Sequence, residues 1–548
     1  MSKKDMTAPA DLQKHAKGTG ALRTQHPVYM DFLPPCNNAC PAGENIQAWL
    51  GLAQEGKYEE AWQKLVEENP LPSVHGRVCY HPCESACNRT ATDSPVSIHA
   101  IERFLGDTAL EKKWSIRFNH DRSGKRVLII GGGPSGLSAA YHLTRAGHDV
   151  EIYEAGPILG GMLHFGIPSY RLPRHILNAE IQRILYMGIK TRVNYKVEDI
   201  ALEKVKGNFD AVFIAIGAGL AKKVDIHGQN AVKMIDAVSF LRDVETGNVP
   251  KLGRRVAVYG GGNTAMDAAR TAQRLGAEAF IIYRRDRENM PAHDFEAEEA
   301  LTEGVKINWL RTIKAIDDKS FTVEVMEIVD GKLTATGKFE QLEADSLIMA
   351  VGQDADTNFL RKLPGIQFNN DDTVEVDETM MTGYEGVFAG GDMVPGSRTV
   401  TIAVGHGKKA ARYINAYLRG INYIKPLKHP IVGPDKLHVW YNTLAPKQIQ
   451  EMLAADERAN NFEEVLSGFS ESEALYEAQR CLSCGNCFEC DGCLGSCPED
   501  AIIKLGKGSR YQYDYNKCTG CAVCYEQCPC HAIEMIPENF RSSKTVSK

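Results

Sequence analysis

Between Lys125 and Glu154 the apolar pattern changes period twice. KRVLII opens as a continuous apolar run, GGGPSG interrupts it, LSAAYHLTRAGH carries apolar residues at helical spacing as far as Gly147, and DVEIYE returns to a short apolar run. The pattern predicts strand, glycine turn, amphipathic helix and second strand. The order recurs from Arg254 to Ala292 in RRVAVYGGGNTAMDAARTAQRLGAEAFIIYRRDRENMPA. FDAVFIAIGAG (Phe209–Gly219) and DSLIMAVGQDAD (Asp345–Asp356) read as apolar strands ending in glycine, suited to carry the chain out of the first unit and back into it. GVFAGGDMV, Gly386–Val394, adds a buried strand, and TIAVGHGKKAARYINAYL a helix. The expected fold is α/β, with two Rossmann-like dinucleotide-binding units, the second inserted into the first.

The flanking segments complete the expected plan. A polar tail occupies residues 1–30 and a helical domain 31–120. The first unit covers 121–231 and 353–420 around the insert at 232–352. A connector spans 421–480, proline-rich in INYIKPLKHPIVGPDKLHVWY and helical in APKQIQEMLAADERANNFEEVL. A small α+β module fills 481–540, and 541–548 is a frayed end.

The cysteines add chemistry. All 16 fall in two islands, Cys36–Cys87 and Cys481–Cys530, which disulfides of a secreted protein would not normally do. Cys487, Cys490, Cys493 and Cys497, followed by Pro498, fit the C-x2-C-x2-C-x3-C-P spacing of bacterial-type ferredoxins. Cys518, Cys521, Cys524 and Cys528, followed by Pro529, repeat it. Two complete copies argue against zinc, which also takes C-x2-C pairs. The fourth cysteine of each run serves the other cluster in this motif, giving one [4Fe-4S] set of Cys487, Cys490, Cys493 and Cys528 and another of Cys518, Cys521, Cys524 and Cys497. Cys481, Cys484 and Cys530 are left over.

The glycine turns add nucleotides. Gly131, Gly133 and Gly136, with Pro134 and Ser135 between them, form G-x-G-x-x-G, which brings backbone close to a pyrophosphate lying on a helix N-terminus. Glu154 ends the next strand, where a carboxylate accepts ribose hydroxyls. The second turn has Gly260, Gly262, Asn263, Thr264 and Ala265. Its strand ends in Arg284 and Arg285, which suit a 2′-phosphate as a carboxylate would not. The first site therefore suits FAD and the second NADPH. Asp392, after Gly391, is placed for the ribityl or pyrophosphate part of FAD. A net charge of -7 gives no reason to expect nucleic acid, and no signal peptide or apolar run of membrane-spanning length is legible, so a cytoplasmic protein with no membrane partner is expected.

The segments CNNACPAGENI, GRVCYHPCESAC with IERF, GGGPSG, GIPSYRLP, GGGNTAMDAAR, YRRDRENMPA and AGGDM make the chain from about Cys36 to Leu418 resemble one family. This is the small (beta) subunit family of NADPH-dependent glutamate synthase, which includes the large subunit of NADH-dependent ferredoxin:NADP oxidoreductase and the N-terminal part of dihydropyrimidine dehydrogenase. The resemblance implies two [4Fe-4S] clusters in the helical domain, hydride transfer from NADPH to FAD, and electrons passed along clusters to another active site. It also implies that Gly160–Arg171, including Gly161, and Gly352 with Gln353 line the flavin and nicotinamide sites. Family members usually carry A-x-R-C-x-x-C-G shortly before the position of Cys36; here that region reads HPVYMDFLPPC, and EAQRCLSCG, Glu477–Gly485, stands at the other end of the chain. By the resemblance, Cys481 and Cys484 fold back to join Cys36 and Cys87, and Cys40, Cys79 and Cys83 take Glu102 as fourth ligand. The connector must then wrap across the body. The alternative is a single N-terminal cluster with Cys481 and Cys484 idle.

No catalytic side chain is required, because the reactive atoms belong to the cofactors. The expected function is an NADPH-oxidising FAD and iron-sulfur oxidoreductase that passes electrons to a second subunit or acceptor, within a homo- or hetero-oligomer. The other class is an electron-distributing module with a regulatory nucleotide site. Glutamate synthesis itself would need another chain.

Overall fold

The computed structural model describes residues 23–538, apart from 119–120, 223, 225, 229–232, 318 and 440–441. Most of the expected polar tail, the frayed end and the boundary at 231/232 lie outside the described residues.

Two parallel five-stranded sheets form the frame. The first runs in the order Val387–Ala389, Ala211–Ile214, Arg126–Ile130, Asp149–Tyr153 and Lys190–Arg192. The second runs Lys306–Trp309, Glu278–Tyr283, Arg255–Tyr259, Ser346–Met349 and Lys233–Asp236. The central strands are buried on both faces, with Val127, Leu128 and Ile129 at 0% exposure, which is why they read as unbroken apolar runs. The two linkers between the units pair antiparallel, Gln353 with Ala221 and Asp354 with Leu220.

The insert carries a second layer that the periodicity analysis missed, an antiparallel meander of Arg311–Asp317, Ser320–Val329 and Lys332–Glu343. Asp330 and Gly331 turn its second hairpin with φ of +50° and +73°. An Asp-Gly pair between strands was the available signal.

Tyr170 of the first unit fixes the insert's position. Its ring lies 5.1 Å from the Arg270 guanidinium and 3.8 Å from that of Arg274. Glu303 binds both arginines at 2.6–3.0 Å, and all three charged side chains are at most 1% exposed. Glu303→Ala would leave two buried guanidiniums without their shared carboxylate and is expected to cost at least about 3 kcal/mol, read as an earlier calorimetric transition of the inserted unit.

Two expectations on the flanks are corrected. Gln25–Tyr29, assigned above to the tail, is a strand paired antiparallel with Ile533–Pro537 at the other terminus. It supplies the ladder partner the last strand lacks, and Pro27 is tolerated because the strand is an edge. The stretch 445–466, expected to be helical, is an extended strap with one short helix at Ala455–Arg458; the helix lies further on, at Glu471–Gln479. The strap's backbone groups are taken by tertiary partners: Gln448 N donates to Glu477, Gln448 O accepts from Ser97, Leu453 N donates to Val465 O, and Val465 N to Tyr170 O. These contacts outweigh helix propensity.

The helical domain, Pro35–Glu111, packs Trp49, Trp62, Leu65 and Ile101 around Ala478 of the connector helix, so the two chain ends share one core. Among the described residues no helix is long and apolar enough to cross a membrane.

Candidate functional site: two nucleotide clefts and four sets of thiols

Gly131 turns with φ of +107°, and a Cβ there would lie 2.3 Å from Ala215 O; one on Gly136 would lie 1.9 Å from Gly131 O. Only glycine lets helix Pro134–Arg145 start this close to the sheet. Gly133 caps that helix, with nothing within 4 Å of its Cβ position, so the first N–H groups meet open space. Glu154 accepts from Gly132 N and Gly156 N at 2.7 Å each, which fixes its carboxylate beside this opening. The Cβ position of Gly161 lies 3.1 Å from Gly133 Cα, and that of Gly391 lies 3.1 Å from Ser135 Cβ. Ser135 Oγ is buried without a hydrogen-bond partner. An open helix N-terminus, an unpaired hydroxyl and a fixed carboxylate together fit the pyrophosphate and ribose of FAD.

Asp392 follows on the same rim, its carboxyl pushed up by burial against the opposing pull of Arg398. His406, on helix Val400–Arg419, was not singled out from the sequence. Its Nδ1 accepts from Gly391 N at 3.2 Å, and burial lowers its pKa, so the neutral ring carries its proton on Nε2.

The second cleft repeats the turn. Gly260 has φ of +147°, Gly262 caps helix Asn263–Arg274 with open space at its Cβ position, and the fully buried Ala265 stands in for the third glycine. Thr264 is half-buried on that turn, and Arg284 and Arg285 are exposed just past the strand end. Gly352, with φ of +111°, lies on the returning linker against Lys222. Tyr80 of the helical domain reaches this cleft. Asn263 Nδ2 donates to its hydroxyl at 2.5 Å, Asn263 Oδ1 accepts from His293 N, and the Tyr80 ring stacks on His293 at 3.6 Å. Tyr80 carries no signal in sequence beyond its place between Cys79 and Cys83.

All sixteen cysteines are unpaired, and the fold gathers them. Cys36, Cys87, Cys481 and Cys484 line one cavity. Burial pushes the Cys481 and Cys484 thiols up to about 12, and burial plus these neighbouring thiols raises Cys36. Burial raises the Cys40, Cys79 and Cys83 thiols, and Cys79 lies close enough to raise the other two further; Glu102 adjoins Cys40 and Cys79 and accepts from Asn69 at 2.7 Å. Burial and the carboxylates of Glu44 and Glu180 raise Glu102, so it is no surface ion pair. In the C-terminal module Cys497, Cys518, Cys521 and Cys524 line a second cavity. Cys487, Cys490, Cys493 and Cys528 form the remaining group, with Cys530 Sγ 3.9 Å from Cys528 Sγ. Four groups of soft donors without a disulfide fit iron-sulfur clusters.

The return of Cys481 to the N-terminal domain is held by charge. Arg480, 2% exposed on its side chain, binds Glu477, Asp93 and the carbonyls of Ser94 and Pro95. Arg89 donates to Arg480 O at 2.6 Å, and Gln54 Nε2 donates to the carbonyls of Ala478 and Cys481.

Residues 125–407 match the pyridine nucleotide-disulphide oxidoreductase family, 31–114 the 4Fe-4S cluster domain II of dihydropyrimidine dehydrogenase, and 511–534 a 4Fe-4S binding domain. The chain is 36% identical to the NADP(+)-dependent formate dehydrogenase subunit beta of Moorella thermoacetica, over 85% of this chain and 73% of that one. It is 33% identical to the NADPH-Fe(3+) oxidoreductase subunit beta of Geobacter sulfurreducens, over 83% and 75%. It is also 33% identical to the glutamate synthase [NADPH] small chain of Escherichia coli, over 70% and 89%. With the glycine turns, the thiol groups and these matches in agreement, the chain belongs to the glutamate synthase small-subunit family of pyridine nucleotide-disulphide oxidoreductases, carrying iron-sulfur domains at both ends.

Proposed function

We propose that this chain oxidises NADPH as the flavin subunit of a larger redox assembly, delivering electrons singly to a partner oxidoreductase through four [4Fe-4S] clusters. When bound, FAD exchanges hydride with a nicotinamide and single electrons with clusters, each of which carries one at a time. The chain's own residues bind and align these groups. The helix N-terminus at Gly133, Ser135 Oγ and Glu154 hold the FAD diphosphate and ribose; that at Gly262 holds the NADPH diphosphate, and Arg284 and Arg285 its 2′-phosphate. The thiolates are Cys36, Cys87, Cys481 and Cys484 for one cluster, and Cys40, Cys79 and Cys83 with Glu102 for its neighbour. In the module Cys487, Cys490, Cys493 and Cys528 make one set and Cys497, Cys518, Cys521 and Cys524 the other.

The observation that carries the reading is how the four sets follow one another. Cys79 lies against the Thr401 hydroxyl, on the first turn of the helix whose His406 supports Gly391. Cys40 of that set is four residues from Cys36 of the next, Cys484 is three from Cys487, and Cys493 is four from Cys497. Three residues of chain span at most about 11 Å, so consecutive sets are neighbours by covalent constraint. Cys490 and Cys521, in the last two sets of the line, are exposed, where a partner could accept electrons. The relatives are beta subunits and small chains, which supports a partner subunit.

Anaerobic addition of NADPH to the reconstituted protein should bleach the flavin, and iron analysis should find roughly sixteen atoms per chain. An unbleached flavin would overturn the enzymatic reading; iron near eight would remove the N-terminal relay.

A further inference from the structure

One half-buried contact on the C-terminal module comes from the opposite end of the chain. Tyr29 Oη lies 3.2 Å from Cys493 Sγ, 464 residues away in sequence. The tyrosine is held in place on several sides. Its strand pairs Tyr29 with Ile533, and Met30 N donates to Ala532 O at 3.1 Å. Its ring stacks on Tyr513 at 4.8 Å, and Tyr513 lines the cavity of Cys497, Cys518, Cys521 and Cys524. Arg23, two residues before the strand, donates to the carbonyls of Tyr515 and Cys518 at 2.7 and 3.0 Å.

We propose that Tyr29 is a positioning residue that raises the reduction potential of the cluster held by Cys487, Cys490, Cys493 and Cys528, through a hydrogen bond from its hydroxyl to the Cys493 sulfur. The inference rests on that ligand assignment. A cysteine sulfur bound to iron carries no proton, so the hydroxyl has to be the donor. A donor at a ligand sulfur stabilises the more negative, reduced state. One electron, supplied by NADPH through the flavin, enters the cluster; no bond at the cluster forms or breaks, and the proton stays on Tyr29. Because the donor belongs to the N-terminal strand, the potential at this site depends on that strand being docked.

The test is an EPR-monitored potentiometric titration of the full-length holoprotein. Tyr29→Phe keeps the ring and its stacking on Tyr513. It should make one C-terminal cluster three- to tenfold harder to reduce, about 28–59 mV for a one-electron couple, and leave the other where it was. Replacing Tyr29 with 3-fluorotyrosine, a stronger donor of nearly the same shape, should move the same cluster the opposite way. Unmoved potentials, or shifts of one sign in both proteins, would overturn the hydrogen-bond role. A native chain whose C-terminal module shows no reducible cluster would instead overturn the ligand assignment beneath it.

Discussion

Cys481→Ala is expected to abolish electron delivery to the acceptor while leaving reduction of the flavin by NADPH intact. The cavity of Cys36, Cys87, Cys481 and Cys484 would keep three thiols, too few for a complete cubane, so iron should fall by about four atoms per chain. The surrounding fold should survive. The connector helix is anchored by Glu477, which accepts from Ser97 N and Gln448 N, and by Ala478, which sits at 0% exposure beside Trp49 and Trp62. Arg480 keeps its bonds to Asp93 and Glu477. The substitution would thus interrupt the line between Cys40 and Cys487 at its middle. Two readouts separate the outcomes: flavin bleaching by NADPH should persist, while reduction of a one-electron acceptor at the C-terminal module drops to background. Full acceptor reduction with undiminished iron would show that Cys481 is idle and that the N-terminal island holds its iron without the connector.

Features written in local pattern were legible in the sequence. Both strand-turn-helix-strand units announce themselves because buried parallel strands are apolar throughout and the turns need glycine at places such as Gly131, where a side chain would strike Ala215 O. The ferredoxin spacing was legible because cluster ligands recur at short, fixed intervals. What stayed hidden depends on segments far apart in the chain. Tyr80 meets Asn263 across 183 residues, Arg89 meets Arg480 across 391, and Tyr29 meets Cys493 across 464. No periodicity within one segment encodes such pairs. The strap at 445–466 failed for the converse reason: its local pattern suits a helix, but Ser97, Glu477 and Tyr170 already occupy the backbone groups that a helix would pair internally.

Reversing the charge of Arg284 and Arg285 together, as Arg284→Glu with Arg285→Glu, is expected to convert a preference for NADPH into one for NADH. The two clefts differ at one corresponding place. In the first, Glu154 fills the space beside the turn by accepting from Gly132 N. In the second, Arg284 rather than a carboxylate comes directly after the strand; the Tyr283 ring lies where a Cβ on Gly261 would meet it at 2.4 Å, and its hydroxyl donates to Asn289 O at 2.7 Å. Tyr283 thus ties the turn to the strand end, and the next two residues are exposed arginines. A hydrogen bond to a charged group is worth about 1.5–3 kcal/mol, so each arginine on a 2′-phosphate contributes roughly 10- to 150-fold in affinity. The double reversal should raise the KM for NADPH by at least 100-fold, with added repulsion, and leave kcat nearly unchanged at saturation, because the 2′-phosphate belongs to the adenosine half of the dinucleotide, away from the hydride-bearing ring. The KM for NADH should move far less, since that dinucleotide has a hydroxyl where NADPH has the phosphate. The comparison of the two KM changes decides the matter. Equal changes for both dinucleotides would mean that the arginines act only through the general field at a solvated strand end, and that the chain selects NADPH elsewhere in the cleft.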